Sequence, residues 1–582
     1  MRALLAIAVL LTAARAPAQE LFVATDGNDG NPGTREHPLA TLEAARDAAH
    51  ALHSRTVTVW LRGGVYQRDA SFRLGAADSG SVYRGFSGEQ VRLVGGRELK
   101  HFTPLTDPGA LARLPVAALT HVLEADLAAA GIHDLGTRAA RGFRRAVKPD
   151  ALELFFGDRP MPLARWPNDG WGRIVAAPGV GRIQYAEAHA ERWRAADAWL
   201  HGYWSRDWAD SYEKVAAIDP AQHELTTVAP HGVYGYRAGQ RFVALNLLEE
   251  LDEPGEWYVD RARGKLYFWA PAPLATVRAF VSTLGDPLLV LDGTSNVTVR
   301  DLVMEVARGT GAAIIGGAHN RFVGCTVRNV GGVGIIVDGT DNGVIDCEVT
   351  GVGEDGIQLR GGDRRTHVRG DNFVLDSRVH GYARVVRTYT PAIHVWGVGN
   401  RVAHNHLSDA PHIAVLLHGD DHTVEHNEID HVCLETSDAG AVYLGRDPSE
   451  RGNAIRDNYF HDLGTGADVR AVYLDDFASG TEISGNLFER VAGILVGGGR
   501  DNRIVNNLFR EASPAVIIDA RGLTWARGSA VRPARGLPRG NQLVGNRWDG
   551  GRWLELRDHL DPGLVDERGT IDLRMKRELD VR

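Results

Sequence analysis

The stretch 320-NRFVGCTV-327 returns as 342-NGVIDCEV-349, 400-NRVAHNHL-407, 453-NAIRDNYF-460, 502-NRIVNNLF-509 and 541-NQLVGNRW-548. The shared pattern is Asn, any residue, an apolar residue, two of any kind, Asn or Cys, any residue, an apolar residue. Degenerate copies start at Asn372, His422 and Thr481. Each copy is followed by a second short alternating segment, as in 356-GIQLRG-361, 392-AIHVWG-397, 414-AVLLHG-419, 441-AVYLGR-446 and 471-AVYLDD-476. A recurrent period of about 22 residues, two strands per repeat and an Asn at a fixed turn position predict coils of a right-handed parallel β-helix. Asn suits such a turn because it tolerates left-handed dihedrals and its amide can stack in a hydrogen-bonded ladder.

Stacking the second segments gives columns. Ile357, Ile393, Val415, Val442, Val472, Ile494 and Val516 form one inward column, and Leu359, Val395, Leu417, Leu444, Leu474, Val496 and Ile518 the next. The residues between are expected to face solvent. One outward column then reads Gln358, His394, Leu416, Tyr443, Tyr473, and its neighbour Arg360, Trp396, His418, Gly445, Asp475. A column of Arg, Trp, His and Asp with a Gly making room is not a packing requirement, and it predicts a groove for something polar with flat faces. Loop lengths point the same way. The chain takes 8 residues from Val327 to Ile335, from Val349 to Ile357 and from Leu407 to Val415, but 14 from Val379 to Ile393, 13 from Ile429 to Val442 and 12 from Phe460 to Val472. Long loops on one edge are where function concentrates.

Residues 1–18 carry Arg2, an apolar run and Ala16-Pro17-Ala18, which predicts a secretory leader cut after Ala18 and a secreted or periplasmic protein. Residues 19–112 are expected to form a cap and the first coils, with Thr41 starting a short helix that closes the open end. From 113 to 280 the period vanishes and aromatics rise, which predicts an inserted β-rich domain. The main helix follows over 281–548, and 549–582 read as an external tail. Across 582 residues, 68 are Gly, a share that fits many tight turns. The net charge of −9, with 74 acidic against 65 basic residues, argues against a nucleic-acid partner. No later apolar run is long enough to span a membrane. Cys325, Cys347 and Cys433 make no disulfide framework, and the first two are expected to stack as small core residues. A monomer is expected.

Glycosidic hydrolysis needs two carboxyl groups, one protonated and one ionised. The segments 438-DAGAVYLGRD-447 and 471-AVYLDDFASG-480 supply them: Asp438 at a loop tip, Asp475 on the outward column, Asp476 just after it. Asp447 and Asp501 read as turn residues. Arg360, His394, Trp396, His418, Tyr443, Arg446 and Tyr473 line the expected groove and are candidates to bind substrate. Metal ligation is not expected: His404 and His406 read as sharing one strand face without an acidic third ligand, and His422 and His426 read as solvated or stacked. Trp166, Trp204 and Trp208 are candidates either for stacking on sugar rings or for packing the insertion.

Taken with the start TDGNDGNPGTREHPLATLEAARDA, the coil GGGRDNRIVNN, and the insertion segments LARWPNDGW and GYWSRDWADSYE, these motifs resemble glycoside hydrolase family 141 over almost the whole mature chain. The resemblance implies hydrolysis of plant polysaccharides, fucosidase and xylanase activities included. By motif match it puts the catalytic carboxylates on Asp438 and Asp475, with Asp476 the one-residue alternative. It leaves the sugar open. No cofactor is expected, and the expected partner is a polysaccharide or oligosaccharide of plant or algal cell walls. Two rivals remain: a polysaccharide lyase, for which Arg360, Arg384 and Arg387 are the basic candidates, and a non-catalytic carbohydrate-binding module.

Overall fold

The computed structural model describes residues 19–52, 56–146, 149, 151–186, 190–196, 198–521 and 538–573; the leader expected over 1–18 lies outside them. The main body is a right-handed parallel β-helix of three long sheets. Each coil has three strands, not two. The Asn segment breaks at its second Asn or Cys into two three-residue strands, such as Arg321–Val323 and Thr326–Arg328, before the strand Ile335–Asp338. We call these sheets A, B and C in that order. Sheet A runs from Gln19–Val23 to Val565–Arg568, sheet B from Gly64–Gln67 to Ile571–Asp572, and sheet C from Phe72–Leu74 to Leu554–Leu556.

The Asn positions build two ladders. At the entry to sheet A, Asn320 N–H donates to Asn342 Oδ1 at 2.8 Å, Asn342 N–H to Asn372 Oδ1 at 2.8 Å, and Asn372 N–H to Asn400 Oδ1 at 3.0 Å. Between sheets A and B, Asn405, Asn427, Asn458, Asn486, Asn507 and Asn546 repeat the arrangement at 2.9–3.0 Å. These amides are buried and satisfy turn N–H groups that water cannot reach, which is worth about 1 kcal/mol net per bond. The left-handed dihedral falls on the residue before the Asn, not on the Asn: Asp341 (φ 47°), Asp371 (51°), Asp457 (57°) and Asp501 (58°) take it. The three cysteines are free and buried, and Cys325 and Cys347 hold ladder positions, with Cys325 N–H 3.4 Å from Cys347 Sγ.

Inside, both predicted columns are buried, and Phe460, Phe488 and Phe509 stack coil on coil with ring centroids 5.1 and 4.7 Å apart. Helix Leu42–Ala51 closes one end; Thr41 Oγ1 caps it, and Leu42 and Ala45 join the core. The described part of the C-terminal segment adds a rung to each sheet rather than lying outside them: Leu554–Leu556 pairs with Val516–Ile518, Val565–Arg568 with Asn541–Val544, and Ile571–Asp572 with Arg547–Trp548.

The chain leaves the coil after Val91–Val94 and rejoins sheet C at Leu289–Asp292. In between, Gly96–Leu99 pairs antiparallel with Ala279–Ser282, and a seven-stranded sheet carries Trp199–Tyr203 between Asp210–Asp219 and Arg241–Leu245. Aromatic and aliphatic side chains including Trp193, Trp204 and Phe242 fill its core.

Candidate active site

The long loops fold back over sheet C. The middle of the supposedly solvent-facing column is therefore not exposed: Leu416, Tyr443, Tyr473, Leu495 and Ile517 form a second apolar cluster with Ile413, against which Tyr389 of the 380–392 loop packs. Only the polar tips of the two tyrosines do further work. Tyr443 donates its O–H to Asp475 Oδ2 at 2.6 Å, and Tyr473 donates to Asp438 Oδ1 at 2.5 Å.

The three aspartates converge on this pair. Asp438 is exposed, at φ 52°, with its N–H held by Ala467 O at 2.8 Å. Asp475 is buried and also accepts from Arg521 Nη1, whose same nitrogen lies 3.3 Å from the Tyr473 hydroxyl. One phenol and one guanidinium thus link the two carboxylates. Asp476 lies beside them, 3.6 Å from Arg446 and 3.8 Å from Arg521. Burial, then the charge of Asp475, pushes its carboxyl up to about 6. Within one cluster, Asp475 is ion-paired with Arg521 and Asp476 is biased towards its protonated form. Arg446, exposed, points its positive charge across the same opening.

The insertion forms one wall. Phe143, Trp208 and Tyr234 pack together, with Phe143–Trp208 centroids 5.3 Å and Trp208–Tyr234 5.2 Å apart. Tyr389 sits 5.3 Å from Phe143 and 6.5 Å from Trp208 on one side, and 6.1 Å from Tyr443 on the other. Trp204 and Trp166 belong instead to the insertion's own core. Hydrogen bonds and an ion pair fix the wall to the loops. Glu435 receives Arg387 and, at 3.1 Å, the Tyr203 hydroxyl; Ser437 Oγ lies 3.4 Å from Asp207. Asp210, fully buried, accepts from Thr388 Oγ1 at 2.7 Å and Arg387 N–H at 3.2 Å, with His201 Nε2 at 2.9 Å. Arg384 pairs with Glu153.

The other predicted binding residues form a second group, further along sheet C. Arg360 lies 5.0 Å above the Trp396 ring, His394 stacks on Trp396 at 3.5 Å, and His418 lies 6.2 Å from Trp396. Arg360 also donates to Gln358 Oε1 at 2.5 Å. Trp396 and Arg360 border an open cavity of about 720 Å³ with Asp338, Thr340 and Gly361. Gly445 pairs in register with Asp475, but it does not face an empty groove: a Cβ there would lie 3.0 Å from both Cβ and backbone O of Asp475. Asp447 is a loop pin, held by Arg364 Nη1 and Ser449 N–H at 2.9 Å each.

Sequence reasoning missed Arg521, which precedes a segment without the repeat, and Tyr389, which has no place in any column. The reading of His404 and His406 is corrected: His404 is at φ 57° and stacks on His426 at 4.9 Å, while His406 lies 2.6 Å from Asp430. The bend between the two short strands turns them apart. Arg384 and Arg387, candidate lyase bases, are both committed to carboxylates that join the insertion to the coil.

A family model described as right handed beta helix region matches residues 285–382 and 391–557. A solved structure titled "Glycoside hydrolase" is 16% identical, covers 96% of this chain and 98% of its own, and superposes with a TM-score of 0.63, so the coil with its insertion is a shared architecture. A second, titled "The complex structure of XylC with xylose", is 10% identical over 95% of this chain and 86% of its own, with a TM-score of 0.44. Pectate lyase PEL9 of Emericella nidulans is 34% identical over 85 residues, 14% of this chain; the match spans only 20% of the relative's length. Among the described residues no helix is long and apolar enough to cross a membrane.

Proposed function

We propose that the chain is an exported glycoside hydrolase of the family 141 kind, acting on plant or algal cell-wall polysaccharide or its side chains. The observation that carries this is the convergence of Asp438, Asp475 and Asp476, with the Asp476 carboxyl biased towards protonation beside two carboxylates hydrogen-bonded by Tyr473, Tyr443 and Arg521. Hydrolysis requires that division between acid and base or nucleophile. In this reading Asp476 gives its proton to the leaving oxygen, and the exposed Asp438, oriented by the Tyr473 hydroxyl, meets the anomeric carbon or its attacking water. Asp475 with Arg521 holds the local field. The Phe143–Trp208–Tyr234–Tyr389 wall offers flat faces beside these carboxylates, where a sugar ring buries its apolar side.

A panel of aryl glycosides and plant polysaccharides tests the reading. Release of reducing sugar that falls by about 10²-fold or more in both Asp476→Asn and Asp438→Asn supports it. Product with the ultraviolet absorbance of an unsaturated uronate overturns it in favour of elimination. Binding without turnover leaves a carbohydrate-binding module.

A further inference from the structure

Sheet B carries a constellation unconnected with the carboxylates on sheet C. Its strands His406–Ser408, Glu428–Ile429 and Tyr459–His461 lie side by side, with His406 opposite Glu428 and Ile429 opposite Phe460. Alternation turns Leu407, Ile429 and Phe460 inward, so His406 and Glu428 stand outward on one column while Asp430 and His461 stand outward on the next. His406 Nε2 lies 2.6 Å from Asp430 Oδ2. His461 Nε2 lies 3.2 Å from Glu428 Oε1 and 3.9 Å from Asp430 Oδ2. Ligand atoms of His406, Glu428 and Asp430 all fall within 4.8 Å of one another. His431 Nδ1 approaches the other oxygen of Asp430 at 2.5 Å.

We propose that His406, Glu428, Asp430 and His461 bind a divalent transition-metal ion of the zinc type. Bonds of about 2.0–2.2 Å in a tetrahedron set neighbouring donors about 3.3–3.6 Å apart. The separations here bracket that range, so small side-chain rotations, of exposed Glu428 above all, bring four donors onto one ion. Two imidazoles with two carboxylates select zinc, cobalt or nickel over calcium, which takes oxygen ligands. The largely buried Asp430 has three imidazole nitrogens within 4 Å of its two oxygens, a density of donor atoms that a shared cation can use. The donors come from three successive coils. The ion therefore ties together the coils from which the loops 431–438 and 462–468 leave, the first of which ends at Asp438.

The test uses the whole chelator-treated protein and reads binding, not turnover. Titration with zinc chloride is expected to show one ion per chain and a melting temperature that rises with zinc concentration. Cobalt(II) is expected to give the intense visible absorption of a tetrahedral site. His406→Gln and His461→Gln should each weaken binding about tenfold or more. His404→Gln, on the neighbouring turn, should leave it unchanged. Glu428→Gln alters an exposed side chain and serves if a histidine variant unfolds. No stoichiometric uptake by the wild-type protein overturns the proposal and leaves a ladder of His–carboxylate hydrogen bonds. Undiminished binding in properly folded His406→Gln and His461→Gln overturns it equally, since the ion then sits elsewhere.

Discussion

Asp476 decides the sign of the pH response. Its carboxyl is raised to about 6, so the protonated form needed to release a leaving group is present below that pH and lost above it. Activity of the wild-type protein is therefore expected to fall as pH rises through about 6. Asp476→Asn should lose about 10²- to 10⁴-fold in kcat/KM and with it that alkaline limb; a variant that keeps the limb would assign it to another group. Gly445 is the second residue whose role the structure changes. Sequence columns predict room for a sugar at this position and a Gly445→Val variant that folds normally. A Cβ there meets the backbone of Asp475 at 3.0 Å, tighter than nearly all natural contacts. Gly445→Val is therefore expected to displace Asp475 from Tyr443 and Arg521, lowering the melting temperature and turnover together. Turnover lost at unchanged melting temperature would restore the groove reading.

At the scale of the element, the ladder shows where sequence was legible and where it was not. The periodic Asn and the inward apolar columns could be read because each rung depends only on its neighbours, about one period away. His422 is a rung in disguise. It replaces Asn, its Nδ1 accepts the Asn400 N–H at 3.1 Å, and its Nε2–H donates to His418 O at 3.1 Å. Accepting at Nδ1 requires the neutral ring, and burial lowers its pKa to about 4. The unfolded chain binds a proton near 6.5, so this stability is complete above that pH and is lost as pH falls from 6.5 towards 4. Buried His412 (about 3) and part-buried His418 (about 4) act in the same direction. His422→Asn, which rebuilds the regular rung, should narrow the drop in melting temperature between pH 7 and pH 5. An unchanged drop would place the acid sensitivity in the other histidines.

Across the whole molecule, the site is made by contacts that no period reveals. Tyr203 meets Glu435 across 232 residues of chain, Arg384 meets Glu153 across 231, and Asp210 meets Thr388 across 178. The sequence marks the long loops and the aspartates, but not that the insertion folds down to grip those loops, because pairing between separate bodies leaves no spacing to count. The same geometry separates three tryptophans that composition cannot rank. Trp166 and Trp204 fill the insertion's core, whereas Trp208, half-buried, joins the aromatic wall one ring away from Tyr443. Trp208→Ala removes a flat face beside the carboxylates without touching them. It is expected to raise KM by about 5- to 10-fold, as loss of one ring-stacking contact of roughly 1–1.5 kcal/mol would, with kcat within about twofold. Trp204→Ala should instead lower the melting temperature, since it empties part of a core. Steady-state kinetics on an oligosaccharide, with thermal melts of both variants, separates the two roles. Equal KM for wild type and Trp208→Ala would mean that the sugar does not rest on the insertion, and that the wall only shields the Tyr443–Asp475 pair from water.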